Sequence, residues 1–482
     1  KLHGLEAVEK IEVAGPGFIN LTLKDGALMQ AALSATDLPQ TLAGQEILVE
    51  FGDPNPFKEM HIGHLYSAIA GDAVASLLAS AGAKVRRLSY HGDVGLHVAK
   101  AVWAMQKEAA NLKNDLGVYY ANGAAAYESD EAAAAQIRDI NKKIYTKEDQ
   151  QINELHKQGI EKSFKYFDQI FGELGIDYEP GGRYLESAAT EAGARIVKEN
   201  IGKVFEQSEG AVVYKGEQDG LHTRVFLTSE GLPTYEAKDL GLVQLKSKDY
   251  PHANRSIIIT AHEQSEYFKV MLAALAKISP DLAEQTTHLY HGFVTLSEGK
   301  MSSRTGEVYA AADLLEKVKE AVMKRYSSSA TVDETYLGAV KYAFLKHRLG
   351  ADITFDVNES VQLQGNSGPY LQYAFARANS VLQKSKVESR KSQVEKLEPA
   401  ERSLTRAISH FPQVAADATN EFAPSHITTY LYELAQTFNS FYESGRVIGD
   451  ERESLRLQLV ETYADVLKSG LGLLGIAAPP KM

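Results

Sequence analysis

The segment from residue 47 to residue 90 constrains the fold more than any other part of this chain. It begins with a short apolar run, Ile47–Phe51, and ends with a second run, Val85–Tyr90, each of the length of a buried strand. Between them, apolar side chains recur at three- and four-residue spacing, which is typical of one helix face: Ile62, Leu65, Ile69, Ala73 and Leu77. Gly82 is placed to end that helix. A strand–helix–strand unit of this kind predicts two neighbouring parallel strands.

Later segments continue the alternation of strands and helices. Val212–Tyr214, Val225–Leu227 and Ile257–Thr260 have strand composition, and Tyr267–Ile278 follows them as a helix pattern. We expect these strands to extend a doubly wound parallel sheet of the Rossmann-like kind. Residues 107–170 are rich in Ala, Lys, Glu and Gln and are expected to form helices inserted between the halves of the sheet.

The two ends of the chain differ from this central part. Ile11–Leu23 alternates apolar and polar residues around a Gly-Pro-Gly turn and predicts a small hairpin. From about Ala311 onward almost every pattern is helical. We therefore predict an α/β fold with three parts. These are residues 1–45 as a hairpin and linker, 46–345 as the doubly wound domain with a helical insertion at about 105–200, and 346–482 as an all-α bundle.

Composition excludes several classes of protein. The 482 residues contain no cysteine, which rules out disulfides, thiolate catalysis and cysteine-based zinc sites. Net charge is −12, so bulk charge does not indicate nucleic-acid binding. A local basic run, Lys384–Lys396, leaves two interpretations open, a contact with a phosphate backbone or a solvated loop. We find neither a signal-peptide pattern nor an apolar run near membrane-spanning length, and expect a cytoplasmic protein without a membrane.

One short motif opens the first helix. His61-Ile62-Gly63-His64 lies at the turn from strand to helix, where free N–H groups and the helix dipole favour phosphate. The imidazoles can donate to phosphate oxygens during phosphoryl transfer, and Gly63 lets a nucleotide approach the backbone. The motif therefore predicts an ATP site; the alternative is a helix start with incidental histidines.

A second motif, Lys300-Met301-Ser302-Ser303-Arg304, lies in a polar stretch after Phe293–Leu296. A loop with these cations and hydroxyls can close over the β- and γ-phosphates of a nucleotide. Taken alone, an ordinary surface loop is the better interpretation of this segment.

The two motifs in this order resemble those of class I aminoacyl-tRNA synthetases, and further segments are similar to the arginyl-tRNA synthetases. These segments span nearly the whole chain: Val49–His61, Gly92–Gly95, Thr234–Asp239, Gly368–Arg377 and Tyr430–Ala435. The resemblance implies that arginine and ATP form arginyl-adenylate and pyrophosphate with Mg²⁺, and that arginine then passes to the terminal adenosine of its tRNA. In this family the first step generally needs bound tRNA. The resemblance further implies a helical anticodon-binding domain at 346–482, a remnant of an extra N-terminal domain at 1–45, and a monomer.

The resemblance also assigns roles to individual residues. The catalytic residues would be His61, His64, Lys300 and Lys58. The ATP-binding residues would be His61, Gly63, His64, Lys300, Met301 and Ser302. The arginine-binding residues would be Asp53, Pro54, Asn55, His64, Tyr235, Asp239 and Gln264. The tRNA-binding residues would be Tyr442 and Met482, and no protein metal site is expected.

The chemistry of Tyr235 and Asp239 agrees with these roles. Residues i and i+4 face the same way on a helix. A carboxylate in a closed pocket takes a guanidinium through two parallel hydrogen bonds, which a lysine ammonium cannot match. Without the resemblance, a surface pair on a helix would be the preferred interpretation.

Several positions depart from the family pattern. Asp53 stands where Ser is usual, Val94 replaces Trp, and His97 replaces a common Gln. A carboxylate at Asp53 would either attract the substrate's amino group or take no part, and Val94 and His97 would reshape the pocket floor. Ser303 takes the place of the second lysine of the loop motif, so Lys58, Lys300 and Arg304 all remain candidates for neutralising pyrophosphate.

Two other functions are compatible with parts of the pattern. One is a catalytically silent relative that only binds tRNA, against which the intact His61, His64, Lys300 and Asp239 argue. The other is a nucleotidyltransferase that makes a small-molecule adenylate without tRNA, which would not explain the helical last third. The aromatic residues near Tyr442 recur at helical spacing and are core candidates as much as base-stacking ones.

Overall fold

A computed structural model describes residues 6–107, 115–297, 309–326, 331–387 and 396–482. Its strands are β1 (Val8–Ala14), β2 (Phe18–Leu23), β3 (Glu46–Glu50), β4 (Lys84–His91), β5 (Arg183–Leu185), β6 (Glu206–Ser208), β7 (Ala211–Tyr214), β8 (Arg224–Leu227), β9 (Arg255–Ala261), β10 (Thr286–His291), β11 (Val294–Leu296) and β12 (Ile353–Phe355).

Helices account for most of the remaining described residues. They are α1 (Asp25–Leu33), α2 (Ile62–Ser80), α3 (Leu96–Gln106), α4 (Leu116–Ser129), α5 (Glu131–Thr146), α6 (Gln150–Glu173), α7 (Glu186–Glu199), α8 (Tyr235–Asp249), α9 (Ser265–Ile278), α10 (Pro280–Gln285), α11 (Ala311–Arg325), α12 (Val332–Leu345), α13 (Val357–Ser360), α14 (Gly368–Lys384), α15 (Pro399–Ser409), α16 (Phe411–Asn420), α17 (Pro424–Ser444) and α18 (Glu453–Leu473).

A five-stranded parallel sheet in the order β10–β9–β3–β4–β5 forms the centre of the α/β part. Residues 47–49 of β3 and 257–259 of β9 are buried, because helices cover both faces of the sheet. The strand order reverses at β3, with β4 and β5 on one side and β9 and β10 on the other. The predicted doubly wound fold is confirmed, and its topological switch point lies beside the carboxyl end of β3.

Two of the predicted strands do not join this sheet. β7 and β8 contain Val212–Tyr214 and Val225–Leu227, but they pair antiparallel with each other and with β6 in a separate three-stranded sheet. The expectation that they extend the parallel sheet was therefore wrong. The nine residues between them hold only one short 3-10 turn, Gly216–Asp219. A parallel pair needs a crossover of a dozen residues or more, so this connection permits only a hairpin.

Helix α2 is the central helix of the protein. It is 19 residues long and apolar enough to meet a length and hydropathy test for membrane spans, against our expectation that no such run exists. However, 78 % of that apolar stretch is buried inside the protein. At Gly71 a Cβ atom would come within 2.3 Å of the Phe51 side chain, so the helix lies directly on β3 and its continuation. The apolar composition of α2 is accounted for by its place in the core.

Helices α3 to α6 lie between β4 and β5 and have their own apolar core, which includes Val98, Val102, Ile137 and Ile152. The chain returns to the parallel sheet at β5. The described helices of this part occupy residues 96–106 and 116–173, and so begin before the expected stretch of about 105–200 and end within it. The domain boundaries near residues 45 and 345 stay predictions.

The N-terminal hairpin forms as expected from β1 and β2, and its apolar side chains Val13 and Phe18 are exposed. Helix α1 follows it and packs on α15. Asp25 of α1 forms an ion pair with Arg402, which also donates to the Leu23 carbonyl over 2.7 Å. The N-terminal segment is therefore fixed to the helical domain.

Helices α16, α17 and α18 of the helical domain pack against α2, as does the preceding helix α12, so both parts of the chain share one core cluster. Two buried side chains fix the end of the chain to this joint. The Lys341 ammonium donates to the Leu174 and Gly475 carbonyls, both over 2.6 Å. The Gln372 amide donates to the Glu334 and Ala477 carbonyls, both over 2.9 Å.

A buried ionic network closes the far side of the helical domain. Glu401, which is 1 % exposed, accepts hydrogen bonds from Arg452 (2.5 and 2.9 Å), from Arg456 (3.1 Å) and from the Glu398 backbone N–H (2.9 Å). The paired arginines lower the pKa of Glu401 against the opposing effect of burial. Every strong acceptor of this carboxylate is thus satisfied within the protein.

Candidate active site

A cavity of about 430 Å³ opens at the carboxyl ends of β3, β4 and β9, at the switch point of the sheet. The segment after β3, the start of α2, the 3-10 turn after β9 and the first turns of α7 and α8 surround it. Its lining residues are Glu50, Gly52, Asp53, Asn55, His61, Gly63, His64, Ser67, Tyr90, Gly92, Glu186, Tyr235, Asp239, Ile259, Thr260, Ala261, Glu263, Gln264, Tyr267, Phe268 and His291. Eight of the site residues predicted from the sequence line this cavity, although they come from distant segments of the chain: Asp53, Asn55, His61, Gly63, His64, Tyr235, Asp239 and Gln264.

The two histidines of the first motif cap α2 through each other. The Gly63 and His64 N–H groups donate to His61 Nδ1 over 3.1 and 3.3 Å, and the His61 N–H donates to His64 Nδ1 over 3.3 Å. The rings stack with their centroids 3.6 Å apart. A Cβ atom at Gly63 would come within 3.0 Å of the His61 ring, so glycine gives this ring room to pack closely. The N–H groups that we expected to be free for phosphate are therefore already used by the His61 imidazole.

Both rings are electrically neutral near pH 7. Burial is the main cause that lowers the pKa of His61 to about 4, and nearby His291 and Lys58 add to the effect. Burial likewise lowers the pKa of His64 well below its usual range. Because each Nδ1 accepts a hydrogen bond, each neutral ring carries its proton on Nε2. Two Nε2–H donors thus remain for a ligand at the start of α2.

The other end of the cavity is acidic. Besides Glu263, four carboxylates line the cavity, and two of these four are paired with buried lysines. Glu50 accepts from Lys246 over 2.9 Å, and both side chains are at most 3 % exposed. Glu186 forms a similarly buried pair with Lys238. Among the described residues no Lys or Arg forms an ion pair with the other two carboxylates, Asp53 and Asp239.

Asp239 is the buried carboxylate with an incomplete set of partners. It is 6 % exposed, and among the described residues no donor reaches its Oδ2 atom. Burial, with the negative charge of Glu50 as the next cause, raises the pKa of Asp239 to about 8. Tyr235 lies one turn earlier on α8, lines the same cavity and is 64 % exposed. The predicted pair thus shares one face of α8, and the carboxylate occupies the interior of the cavity rather than the surface.

The Asp53 side chain binds the backbone near the end of β4. Its backbone φ is 28°, in the left-handed region that a side chain other than glycine rarely adopts. Its Oδ1 atom accepts from the Tyr90 N–H over 2.7 Å. Burial, followed by the charge of Glu50, raises the pKa of Asp53 well above its usual range. The carboxylate lines the cavity and also fixes the backbone of Tyr90.

Two neighbouring features shape the middle of the cavity. A Cβ atom at Gly92 would come within 2.5 Å of Asn55 Oδ1 and 2.9 Å of Glu186 Oε2, so glycine lets these groups approach each other. On the opposite wall, Gln264 ends a 3-10 turn, and its Oε1 atom accepts from the Tyr267 hydroxyl over 3.3 Å.

Some predicted positions lie outside the lining. Pro54 is buried, and its carbonyl accepts from His91 over 2.8 Å. The Lys58 ammonium lies over the Tyr120 ring, 4.6 Å from its centroid. Val94 is buried in the core of the inserted helices, and His97 donates to the Gly92 carbonyl over 3.0 Å. The expectation that Val94 and His97 reshape the pocket floor is not supported, because neither side chain reaches the cavity.

The second motif, with Lys300, Met301 and Ser302, lies outside the described residues. The described chain resumes at Tyr309, directly beside the first motif. The Ile62 N–H donates to the Tyr309 carbonyl over 2.9 Å, and the Ala311 N–H donates to the Met60 carbonyl over 2.8 Å. Tyr309 and Ala311, which follow the second motif in the sequence, are therefore attached to the start of α2.

The two predicted tRNA contacts lie in the helical domain. Tyr442 is half-buried against its core, and the Arg377 guanidinium lies 4.5 Å from the centre of its ring. Met482 is half-buried at the end of the chain. These observations place both residues far along the chain from the cavity-lining set and do not test their role.

Sequence reasoning missed Glu50, Tyr90, Glu186 and His291, which also line the cavity. Glu50, Tyr90 and His291 each lie at or next to the last residue of a parallel strand. Polar residues at such strand ends were the available signal, since ligands of doubly wound sheets bind there. Among the described residues, no group of three or more His, Asp or Glu side chains is arranged to hold a metal ion.

Comparison with known proteins gives two family matches. Residues 27–357 match the class I (R) tRNA synthetase catalytic domain, and residues 371–482 match the DALR anticodon-binding domain. The arginine–tRNA ligase of Flavobacterium psychrophilum is 31 % identical over 479 residues, which cover 90 % of this chain and 79 % of that protein.

Solved structures agree at the level of the fold. The Thermus thermophilus arginyl-tRNA synthetase superimposes with a TM-score of 0.85 at 24 % identity, covering 99 % of this chain and 89 % of that one. The Plasmodium falciparum arginyl-tRNA synthetase superimposes with a TM-score of 0.79 at 22 % identity, covering 99 % and 87 %.

Proposed function

This chain belongs to the arginyl-tRNA synthetase family of class I, and we propose that it is an arginine–tRNA ligase that uses the cavity described above. It would activate L-arginine with ATP to arginyl-adenylate and pyrophosphate, and then transfer arginine to the terminal adenosine of its tRNA. The cavity holds groups of two kinds, a neutral imidazole pair at the start of α2 and an acidic end near Asp239. These two ends correspond to the nucleotide and the amino acid.

The observation that carries this proposal is the buried, incompletely partnered carboxylate of Asp239. Burial and the charge of Glu50 raise the pKa of Asp239, and a positive charge beside the carboxylate would favour its ionised form. A guanidinium supplies that charge and offers parallel N–H donors to both carboxylate oxygens. Tyr235, on the same face of α8, would cover the guanidinium, and Asn55 and Gln264 would bind the charged end of the substrate.

The imidazole pair would act on the nucleotide. In the first step the arginine carboxylate attacks the α-phosphorus of ATP, and pyrophosphate leaves with the electrons of the broken P–O bond. Negative charge shifts onto the phosphate oxygens during this displacement. Neutral Nε2–H donors of His61 and His64 would stabilise that charge, because they are fixed before the reaction begins. His64 would also contact arginine.

Pyrophosphate release would use cations from outside the described cavity lining. We propose Lys300, Met301 and Ser302 as ATP contacts, because Tyr309, which follows them in the sequence, is bonded to the start of α2. Lys58 and Arg304 are the other candidates for neutralising pyrophosphate, and the charge of Lys58 adds to burial in lowering the pKa of both motif histidines. Mg²⁺ bound to ATP would neutralise part of the phosphate charge.

The helical domain would bind the tRNA. We propose Tyr442 and Met482 as contacts for it, on the basis of the DALR match over residues 371–482. We further propose that the protein acts as a cytoplasmic monomer without a membrane. The apolar helix α2 does not contradict this, because it lies in the core. Light scattering of the purified protein would test the monomer, and a molar mass of twice the 52.8 kDa chain would contradict it.

Arginine-dependent ATP–pyrophosphate exchange in the presence of cognate tRNA is the decisive experiment for the proposed activity. We expect exchange with arginine and none with lysine or citrulline. Exchange with a different amino acid would disprove the assigned substrate. Tight tRNA binding without any adenylate formation would identify a silent relative, and arginine-independent adenylate chemistry without tRNA binding would identify a nucleotidyltransferase.

A further inference from the structure

Two buried polar atoms of the cavity have no hydrogen-bond partner among the described residues, the Oδ2 atom of Asp239 and the hydroxyl oxygen of Tyr90. A buried polar atom without a partner costs about 1–3 kcal/mol, so two of them in one cavity require an explanation. The other such atoms, in Asn141, Ser256, Gln372, Asn379, Gln458 and Tyr463, do not line this cavity.

The two atoms are close enough to influence each other. Tyr90 is the penultimate residue of β4 and Asp239 lies in the second turn of α8, and both residues line the cavity. Burial raises the pKa of the Tyr90 hydroxyl, and the charge of Asp239 is the next cause. A ligand that satisfies Asp239 therefore lies within reach of the Tyr90 hydroxyl.

Two neighbouring carboxylates of the cavity are already paired with lysines. Glu50 is held by Lys246, and Glu186 is held by Lys238, in pairs buried from water. A guanidinium carries five N–H donors in one plane, and one carboxylate takes only two of them side by side. The phenolic oxygen of Tyr90 can accept one of the others, and its proton can turn away to allow this.

The position of Tyr90 is fixed before any ligand arrives. Its backbone N–H donates to Asp53 Oδ1 over 2.7 Å, and Asp53 adopts a left-handed backbone conformation to make this contact. Burial raises the pKa of Asp53, so the protein forms this contact despite an unfavourable environment for the carboxylate. An oriented Tyr90 is the evident result of that arrangement.

We infer that the Tyr90 hydroxyl is a second guanidinium-binding group, which accepts a hydrogen bond from the substrate arginine beside Asp239. This inference rests on the proposed function and adds a specificity-determining residue to it. The Tyr90 hydroxyl would contact arginine equally in the ground state and in the transition state. Loss of this contact should therefore raise the KM for arginine and leave kcat unchanged.

The test compares Tyr90→Phe with wild type in tRNA-dependent aminoacylation at saturating ATP. We expect the KM for arginine to rise about tenfold, the scale of leaving one guanidinium N–H without an acceptor, with kcat within twofold of wild type. A thermal unfolding curve without arginine should show a Tm equal to or above the wild-type value, because the substitution removes an unpartnered buried hydroxyl.

Tyr463→Phe is the matched control. Tyr463 has the same kind of buried hydroxyl without a partner, but it lies in α18, outside the cavity. We expect its KM for arginine to equal that of wild type. A purely structural role of Tyr90 would make Tyr90→Phe behave like this control, and a KM within twofold of wild type would overturn the inference. Failure of wild type itself to charge tRNA with arginine would instead overturn the proposed function.

Discussion

Asp239 in the cavity and Glu401 in the helical domain are both buried carboxylates, and the protein treats them in opposite ways. Glu401 is surrounded by Arg452, Arg456 and a backbone N–H, and its pKa is lowered. Asp239 has an oxygen without a partner among the described residues, and its pKa is raised to about 8. A buried carboxylate whose partners all lie within the protein belongs to the fold, and removing its partners would destabilise it. A buried carboxylate that lacks a partner is available to bind a ligand.

Asp239→Asn is the strongest test of this contrast. We expect kcat/KM for arginine to fall about 1,000-fold, or about 4 kcal/mol, because an amide can no longer pair with the guanidinium. The folded protein should be as stable as wild type or more so, since an amide, unlike a carboxyl group, cannot ionise in this buried position. Aminoacylation kinetics and thermal unfolding measure the two effects. A loss of stability together with activity would show that Asp239 is structural after all.

Glu401→Gln should give the reverse result. Its arginines would be left without their main acceptor, so we expect the free energy of unfolding to fall by about 3 kcal/mol. The KM for arginine should be unchanged, since Glu401 is remote from the cavity lining. Urea unfolding monitored by circular dichroism provides the measurement. Glu398→Gln is the control, because that side chain is 54 % exposed and its pairs should contribute under about 1 kcal/mol.

His64→Ala tests the nucleotide end of the cavity. We expect ATP–pyrophosphate exchange to slow at least about 100-fold, the scale of losing one donor to a transition state. Loss of the His64 ring also removes the acceptor of the His61 N–H, so some loss of stability should accompany it. His64→Gln keeps a donor in place and should recover part of the rate. Near-normal exchange by the alanine variant would disprove the proposed role.

The pH dependence of arginine binding gives the smallest and most specific effect. Arginine pairs with ionised Asp239, and the pKa of about 8 means that the carboxyl is mostly protonated below that value when the cavity is empty. The KM should therefore fall about tenfold per pH unit as pH rises from 6 to 7.5, and level off above 8. Asp239→Asn should lack this slope. A flat wild-type profile would contradict the raised pKa.

The raised pKa of Asp239 also makes the stability of the protein depend on pH. A folded-state pKa above the ordinary value means that the folded form holds its proton more tightly than the unfolded form does. The contribution of Asp239 to stability is therefore present at low pH and is lost as pH rises toward 8. The Tm difference between Asp239→Asn and wild type should grow over that range.

Much of the fold follows from patterns within one segment. The apolar runs of β3 and β4 and the spacing in α2 predict the parallel unit, because each element carries its own periodicity. The sheet to which β7 and β8 belong could not be predicted from their composition, since pairing depends on the connection between them. The length of that connection, nine residues, was the usable signal.

Site residues that belong to a sequence motif could be predicted. Site residues whose role depends on side chains brought near them by folding could not. Asp239 and His64 were found by their family context, and their presence in one cavity agrees with it. Glu50 and Glu186 were missed because their place depends on Lys246 and Lys238, which approach from α8 only after folding. The capping role of His61 was also missed, since the sequence does not indicate where its Nδ1 atom points.

Because His61 and His64 cap α2 through each other, the resistance of the protein to acid depends on the same two residues as the proposed reaction. Each Nδ1 atom holds a backbone N–H as an acceptor, and protonation turns it into a donor that repels that group. Acidification toward the pKa of His61, about 4, would therefore loosen the first turn of α2 and alter the nucleotide site in a single event. Inactivation by acid should thus start at the active site, before the rest of the molecule unfolds.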